Sequence, residues 1–392
     1  MRRYIRIIPE AKLFLTKYKI RKFYCSDRAV ENSAVNMPDI QVLNLLLVWM
    51  GLAQDSNAAG DNGVARHFSH LHGWGYSYPE TTGYILETFI KSNKFVRSST
   101  NLDRAKKMAD WLTSIQLENG GFTGSTVDRI QEYPLPVVFN TGQILIGLAS
   151  AFTQFGEKYR TPMCKAASWL LSVQDSDGKW SRNKSPVAMP GLATYDTHVA
   201  FGLLEAAKSS GNQVYSESAF RNIEWAISQQ SDNGWFANCC LSNPDAPLTH
   251  TLGYTMRGIW QAYEYSQTEL FLNSVTKTSD AIVDILKKNG YLPGRLTKNW
   301  EPAVQWQCLT GNSQIAIVLL RMYSLTNESK YHKAALQLIN SVKGTIRTSG
   351  TPELIGGVRG SEPVQGGYCS YQYPNWAAKF TADALMNLME LE

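Results

Sequence analysis

The heptapeptide QDSDGKW at residues 174–180 decides the fold, because altered copies of it recur along the chain. The other copies are AQDSNAAGDNG near Gly63, QLENGGF near Gly121, QQSDNGW near Gly234, KKNGYLPG near Gly290 and a degenerate ELIGGVRG near Gly357. The first five of the six glycines lie 56 to 58 residues apart, and the last step is longer. A fixed period in this range indicates one supersecondary unit repeated along the chain.

Two kinds of helix are predicted around these turns. Before most turns there is an amphipathic segment, with apolar residues at steps of three and four: DRAKKMADWLTSIQ, RTPMCKAASWLLSVQ, YSESAFRNIEWAISQQ, TSDAIVDILKK and ESKYHKAALQLINSV. After each turn there is a segment that is apolar on more of its circumference: ETTGYILETFI, NTGQILIGLASAF, DTHVAFGLLEAA, THTLGYTMRGIWQAY, LTGNSQIAIVLLRMY and NWAAKFTADALMNLM. The first pattern is typical of surface helices and the second of helices buried on most sides.

Six outer helices that alternate with six inner ones predict an all-α fold, an (α/α)6 toroid of six helical hairpins. One hairpin cannot bury its apolar face alone, whereas six stacked hairpins bury a continuous core. Inner helices this apolar favour a closed ring over an open solenoid. Because no Pro-, Gly- or Ser-rich linker divides the chain, we expect residues 39–392 to form one domain behind a basic leader at 1–38.

Composition fits a globular protein with a large core, since 44% of the 392 residues are hydrophobic and 18% are charged. The formal net charge of +5 is too small to predict nucleic acid as a partner. Aromatic residues reach 11%, which fits either a cleft that stacks on sugar rings or dense helix packing. The six cysteines lack CxxC spacing, so we expect mostly reduced thiols, a cytoplasmic protein and no metal or other cofactor.

The N-terminal segment MRRYIRIIPEAKLFLTKYKIRKF carries eight Lys or Arg and one Glu. Pro9 interrupts its apolar residues, so the segment does not match a signal-peptide core. We expect a basic leader that packs on its own domain, and the alternative is peripheral contact with an anionic membrane surface. No segment has the 18 apolar residues of a transmembrane helix.

The repeat Gln-x-x-Asp-Gly-x-Trp resembles the QW-type turns of the terpenoid cyclase and prenyltransferase toroid superfamily. The wider pattern, with YPETTGY (78–84), LTHTLGY (248–254) and YPNWAAKFTADAL (373–385), looks like the toroid proteins of bacterial exopolysaccharide clusters. Those proteins resemble (α/α)6 glycoside hydrolases and polysaccharide lyases. The resemblance covers about residues 40–390. It implies an architecture more than a chemistry, because this fold hosts many reactions.

Departures from the first superfamily limit what the resemblance implies. The Asp-x-Asp-Asp acid motif of its cyclases is absent. QWQCLTGNSQIA (305–316) is similar to the cysteine-bearing helix start of the zinc-dependent prenyltransferases, but no Asp stands two residues before Cys308. Zinc is therefore not expected.

The inner helices of a toroid point their N-termini toward one end of the cavity, so residues at their starts share one space. Ten such residues are candidates for the site: Glu80, Asn140, Tyr195, Asp196, His198, His250, Tyr254, Asn312, Tyr373 and Trp376. Capping accounts for Asp and Asn there, but not for His, Tyr and Trp, which suit a polar cavity with stacking walls. Neighbouring loops add Arg66, Trp74, Tyr78, Trp300, Glu301 and Trp306.

Glycoside hydrolysis is the leading prediction, in surface polysaccharide or exopolysaccharide biosynthesis with an oligosaccharide or polysaccharide as substrate. It needs two carboxyl groups, a general acid and a base or nucleophile. Glu80 and Asp196 are the preferred pair, and Glu301 is a third candidate. Each has a purely structural alternative: Glu80 in a helix first turn, Asp196 as an N-cap and Glu301 as a loop charge.

Three other functions stay open. A polysaccharide lyase or uronate epimerase needs a neutralising group and a proton acceptor, which Asn140, His250, Tyr254 and Arg257 could supply. A terpenoid cyclase or prenyltransferase would need a cavity with few charges. A non-catalytic glycan-binding protein would use the same aromatic and polar residues without any catalytic carboxyl group.

Overall fold

The computed structural model describes residues 33–186, 188, 191 and 193–392, so predictions about leader residues 1–32 lie outside it. In this part of the chain, twelve α-helices alternate between two rings. The outer helices are α1 (Asp39–Asp55), α3 (Ser99–Ser114), α5 (Arg160–Ser172), α7 (Gln213–Ser228), α9 (Glu269–Asn289) and α11 (Ser329–Lys343). The inner helices are α2 (Pro79–Ser92), α4 (Val138–Phe155), α6 (Thr197–Ser210), α8 (Thr249–Ser266), α10 (Leu309–Thr326) and α12 (Asn375–Met389).

The inner ring is closed. Each inner helix contacts the next one, and the last, α12, contacts the first, α2. At this closing contact Thr88 Oγ1 donates to Asp383 Oδ1 at 2.8 Å, while Asn375 Nδ2 donates to Thr81 Oγ1 at 2.8 Å. The prediction of an (α/α)6 toroid, rather than an open solenoid, is confirmed.

Where a turn carries the repeated glutamine, this side chain joins the turn to the following outer helix. Gln174 Nε2, which follows α5, donates to Gly178 O at 2.9 Å in its own turn and to Ser218 O at 3.0 Å on α7. Gln116 bridges Gly120 O and Pro162 O in the same way, both at 2.9 Å. These bonds satisfy carbonyls that would otherwise be left unpaired where an outer helix meets a turn. The QW-type repeat is therefore the contact that spaces the outer ring.

We expect Gly178→Ala to destabilise the fold more than Gly211→Ala. Both glycines have positive φ, +90° and +75°, so each substitution carries the cost of left-handed backbone, about 1 kcal/mol. A Cβ at Gly178 would also lie 2.3 Å from Arg221 O on α7, whereas one at Gly211 meets nothing within 4 Å. Overpacking adds roughly 1–3 kcal/mol. Urea unfolding measures the difference, and equal losses would contradict the proposed role of the turn.

Short strands connect the loops above the inner helices. β1 (His67–Ser69) pairs with β2 (Gly73–Trp74) and with β5 (Gln372–Pro374), and β3 (Gln307–Cys308) pairs with β4 (Ser361–Glu362), all antiparallel. The β1–β5 pair joins the loop before α2 to the loop before α12. It therefore holds together the two ends of the ring on the side where the inner helices begin.

Side chains fill the axis of the toroid at mid-height. Tyr84, Lys379 and Phe380 are each no more than 1% exposed. Lys379 Nζ donates to Asp383 Oδ2 at 2.5 Å and lies 3.6 Å from Glu87 Oε2. The Lys379 ammonium also lies 5.3 Å and 4.7 Å from the ring centroids of Tyr84 and Phe380. This buried layer, the axial plug, separates the two ends of the ring.

The described cysteines are free thiols: Cys164, Cys239, Cys240, Cys308 and Cys369. No group of three or more His, Cys, Asp and Glu among the described residues could hold a metal ion. Hydropathy and length together rule out a membrane-crossing helix within that same part of the chain.

Candidate active site

A cavity of about 160 Å³ opens where the inner helices begin, and we call it the near cavity. At about 30 Å³ per water it holds roughly five water molecules. Nine of the residues predicted from the sequence line it: Arg66, Tyr78, Glu80, Asn140, Tyr195, Asp196, His250, Tyr254 and Trp376. They come from four inner helices and the loops before them, so the toroid gathers residues that are up to 310 positions apart.

Glu80 lies in the first turn of α2, where its carboxylate accepts two hydrogen bonds. The Tyr78 hydroxyl donates to Glu80 Oε2 at 2.6 Å, and Asn140 Nδ2 donates to the same oxygen at 2.8 Å. Burial raises the pKa of Glu80 to about 7, although the Tyr78 hydrogen bond and the Arg66 charge both lower it. Glu80 therefore exchanges its proton near neutral pH, as a general acid or base must.

Asp196 ends a 3-10 helix (Thr194–Asp196) directly before α6, and it is 2% exposed. Its side chain makes no capping hydrogen bond to α6, so the N-cap alternative is not what the structure shows. The Lys184 ammonium contacts its carboxylate instead. Burial raises the pKa of Asp196 above its ordinary value, and the Lys184 ammonium opposes that rise by favouring the carboxylate form.

The rings of two histidines pack against the ring of one tyrosine beside the carboxyl groups. The Tyr254 ring centroid lies 4.5 Å from that of His250 and 4.6 Å from that of His198. His250 Nδ1 donates to Gln314 Oε1 at 2.8 Å, which fixes its tautomer. Burial lowers the pKa of His250 to about 4, so His250 is neutral at pH 7.

Aromatic rings and the Arg66 guanidinium form another part of the lining. The Arg66 guanidinium lies 5.3 Å from the Trp376 ring centroid, and Trp376 Nε1 donates to the Tyr368 hydroxyl at 2.9 Å. The Phe139 ring packs edge-on against Tyr195 at 5.4 Å. Rings of this kind stack on the apolar faces of sugars, and a fixed guanidinium can pair with a carboxylate.

The structure does not bring Arg257 together with His250 and Tyr254. Arg257 lies 3.8 Å from Asp383 Oδ2, below the axial plug and at the far end of the ring. The three residues are on one helix, α8, but a helix rises about 1.5 Å per residue, which carries Arg257 out of the near cavity. The four-residue set predicted for elimination is therefore incomplete there.

Seven further predicted residues lie outside the near cavity. Glu301 is exposed in a loop, and Trp300 beside it donates from Nε1 to Asn233 O at 2.8 Å. The others are taken up by packing or internal hydrogen bonds: Trp74 against Trp49, Trp306 against the backbone of Gly294 and Gly367, Asn312 on Gln307 and Ser341, Tyr373 against His70, and His198 behind Tyr254.

Eight lining residues were not predicted as site residues, among them Tyr84, Phe139, Lys184 and Tyr368. Two of them could have been found from the sequence. Tyr84 is the last residue of YPETTGY, which contains Glu80, and Phe139 directly precedes Asn140. Lys184 and Tyr368 lie in irregular loops, where no period places a side chain.

No protein-family model matches the sequence, and a comparison with curated proteins found no match. Solved structures do match in fold. A sugar epimerase from a ruminal bacterium is 14% identical with a TM-score of 0.72, over 90% of this chain and 98% of that chain. A heparin-specific unsaturated glucuronyl hydrolase is 12% identical with a TM-score of 0.70, over 90% and 97%. The cellobiose 2-epimerase of Bacillus thermoamylovorans is 13% identical with a TM-score of 0.70, over 90% and 99%.

At these identities the likeness shows a shared fold. Each match extends over 90% of this chain and at least 97% of the other chain. The expected relation to (α/α)6 glycoside hydrolase folds is confirmed at the level of architecture.

Proposed function

We propose that this protein is a carbohydrate-active enzyme that hydrolyses a glycosidic bond in the near cavity. The observation that carries the proposal is the pair of carboxyl groups, Glu80 and Asp196, on one small cavity with aromatic walls. Glycoside hydrolysis requires such a pair, held in environments that favour different protonation states. The fold is shared with a glucuronyl hydrolase and with epimerases that act on sugars, which agrees with a carbohydrate substrate.

The environments assign the two roles. Glu80 has no cation in contact and a pKa of about 7, so it can hold a proton for the leaving oxygen at neutral pH. Asp196 is paired with Lys184, which favours the carboxylate form that a base or nucleophile needs. Arg66 lines the same cavity, and its guanidinium can donate hydrogen bonds to a uronic acid carboxylate, the group that the glucuronyl hydrolase name implies in that enzyme's substrates. A surface polysaccharide is the source we propose for the substrate, on the sequence resemblance alone.

The proposal predicts a bell-shaped dependence of kcat/KM on pH. A general acid must be protonated, so activity should fall about tenfold per pH unit above the pKa of Glu80, about 7. The base must be ionised, so activity should also fall as the pH drops through the pKa of Asp196. Initial rates between pH 4 and 9 measure both limbs. A rate that rises through pH 7 would make Glu80 the base and reverse the assignment.

A sugar epimerase is the second candidate, because neutral His250 stacks on Tyr254 in the same cavity and can accept a proton from a substrate carbon. Incubation with short neutral and uronic oligosaccharides, followed by mass spectrometry, reducing-end analysis and analysis of the sugar composition, separates the reactions. Hydrolysis adds water and creates a reducing end, elimination leaves an ultraviolet-absorbing product, and epimerisation changes neither mass nor chain length. Unchanged oligosaccharides that nevertheless bind would favour a non-catalytic protein and overturn the proposal.

A further inference from the structure

A second and larger cavity, about 620 Å³, lies at the other end of the toroid, where the inner helices end. We call it the far cavity. Its volume is within the range of small-molecule pockets, about 300–1,000 Å³. The axial plug separates it from the near cavity, so a ligand cannot reach it through the ring. The far cavity therefore needs its own explanation.

Positive charge dominates its lining. Among the described residues that line it, five are cationic and two are carboxylates: Lys91, Lys94, Arg97, Arg257 and Arg321 against Asp383 and Glu390. Helix C-termini carry partial negative charge, which attracts cations and offers a purely structural reason for some of them. Lys94 and Arg321 also share Glu390, at 3.0 and 3.2 Å. Charge alone therefore does not decide the matter.

Two buried donors at this cavity have no acceptor. Arg257 is 7% exposed and Trp260 is 4% exposed. Neither Arg257 Nη1 nor Trp260 Nε1 has a hydrogen-bond partner among the described residues. Leaving a buried donor unpaired is costly, and a charged donor more so. Native proteins usually supply an acceptor at such places, and a bound ligand can be that acceptor.

The nearest carboxylate, that of Asp383, does not lie within hydrogen-bond distance of Arg257 Nη1. Asp383 Oδ1 accepts from Thr88 at 2.8 Å, and Oδ2 accepts from Lys379 at 2.5 Å, which leaves Arg257 Nη2 at 3.8 Å from the same group. The Arg257 guanidinium lies 5.0 and 5.9 Å from the ring centroids of Phe380 and Phe201. The guanidinium is therefore held between two rings, while its Nη1 has no hydrogen-bond partner among the described residues.

We propose that the far cavity binds a small sugar-sized ligand that carries an oxyanion, either a phosphate or a carboxylate. Arg257 is the fixed guanidinium beside it, and the planar fork of arginine matches both groups. Trp260 adds an N–H donor and an apolar face, and the amides of Gln154 and Gln261 suit hydroxyl groups. Arg97, exposed at the rim, attracts the anion from solvent. This site is independent of the proposed hydrolysis.

Calorimetry on the full chain tests the proposal, with glucose 6-phosphate, glucuronate, inorganic phosphate and glucose as ligands at constant ionic strength. We expect at least one anionic sugar to bind and glucose not to bind. The phosphate and carboxylate arms identify which oxyanion is preferred. Binding of inorganic phosphate as tight as that of glucose 6-phosphate would contradict a sugar-sized ligand.

Two mild variants locate the binding. Trp260→Phe keeps the ring and removes the N–H, and Arg97→Gln removes an exposed charge at the rim. Trp260→Phe should weaken binding of the preferred anion about tenfold or more, the worth of one hydrogen bond to a charged group. Arg97→Gln should weaken it by a smaller factor that decreases at higher ionic strength, because an exposed charge is screened by salt. Arg160→Gln on the outer ring makes the same change of charge and should have no effect. Binding unaffected by Trp260→Phe and Arg97→Gln, or no binding at all, would mean that the cations only balance the helix ends.

Discussion

Replacing Glu80 by Gln is expected to lower kcat by about 10²–10⁴-fold, the usual contribution of a general acid or base. Glutamine has the shape of the protonated acid and can keep the contacts to Tyr78 and Asn140, but it has no proton to transfer. The rate loss should therefore appear without loss of the fold. Initial rates on the substrate identified by the oligosaccharide panel measure it.

Glu301→Gln is the matched control, because it makes the same chemical change in an exposed loop outside the near cavity. Its kcat should equal that of the unaltered protein. Asp196→Asn should also be slow, since it removes the partner of Lys184 in the same cavity. The contrary outcome is an enzyme that keeps its activity in Glu80→Gln and Asp196→Asn and loses it in Tyr254→Phe. That result would exclude the proposed hydrolysis and favour proton transfer at a sugar carbon.

Unfolding provides a second check on the Glu80 environment. Its pKa is raised from 4.5 to about 7 in the folded protein, so the folded state binds this proton more tightly than the unfolded chain does. The contribution to stability is complete below pH 4.5 and is lost as the pH rises through about 7. Glutamine does not ionise. The free energy of unfolding of Glu80→Gln should therefore fall less between pH 5 and 8 than that of the unaltered protein.

Lys379→Met is expected to have the largest effect on stability, a loss of about 3–5 kcal/mol, because it removes the buried cation that Asp383 and Glu87 share. Lys379 is 1% exposed and contacts both Asp383 and Glu87 in the axial plug. Methionine fills much of the same volume, so the loss reports charge more than packing. Urea unfolding at pH 7 measures it.

Lys158→Met is the control for this experiment. Lys158 forms an ion pair with Asp110 at 2.5 Å, but on the surface, where its side chain is 60% exposed. Exposed pairs contribute about 0–1 kcal/mol, so this variant should unfold nearly as the unaltered protein does. Similar losses in the two variants would show that the buried network does not carry the stability assigned to it.

The architecture could be predicted because it depends on periodic features. The QW-type turns recur at a near-constant spacing, and Gln116 and Gln174 make the same two contacts in their turns. The helices differ in polarity by ring, as burial requires. Both patterns can be recognised within short stretches of the sequence, without knowing which distant residues come together in the fold.

The site could be predicted only in part. Placing Glu80, Asp196 and His250 on one cavity needed no more than the rule that inner helices begin at the same end. Arg257 was misplaced because sharing a helix with Tyr254 does not mean sharing a level along the axis. Lys184 and Tyr368 were missed because they reach the near cavity on irregular loops, and the path of such a loop produces no periodic pattern in the sequence.

The axial plug determines how a substrate can be handled. With Tyr84, Lys379 and Phe380 packed across the centre, the ring encloses side chains and not a tunnel. If the protein hydrolyses a glycan as proposed, a long chain cannot be threaded through the ring, so a chain terminus or a short branch would have to enter the near cavity. Whatever is released has to leave by the mouth through which it entered. On the proposed function, this architecture favours an enzyme that releases its polymer after each cleavage over one that moves along the polymer.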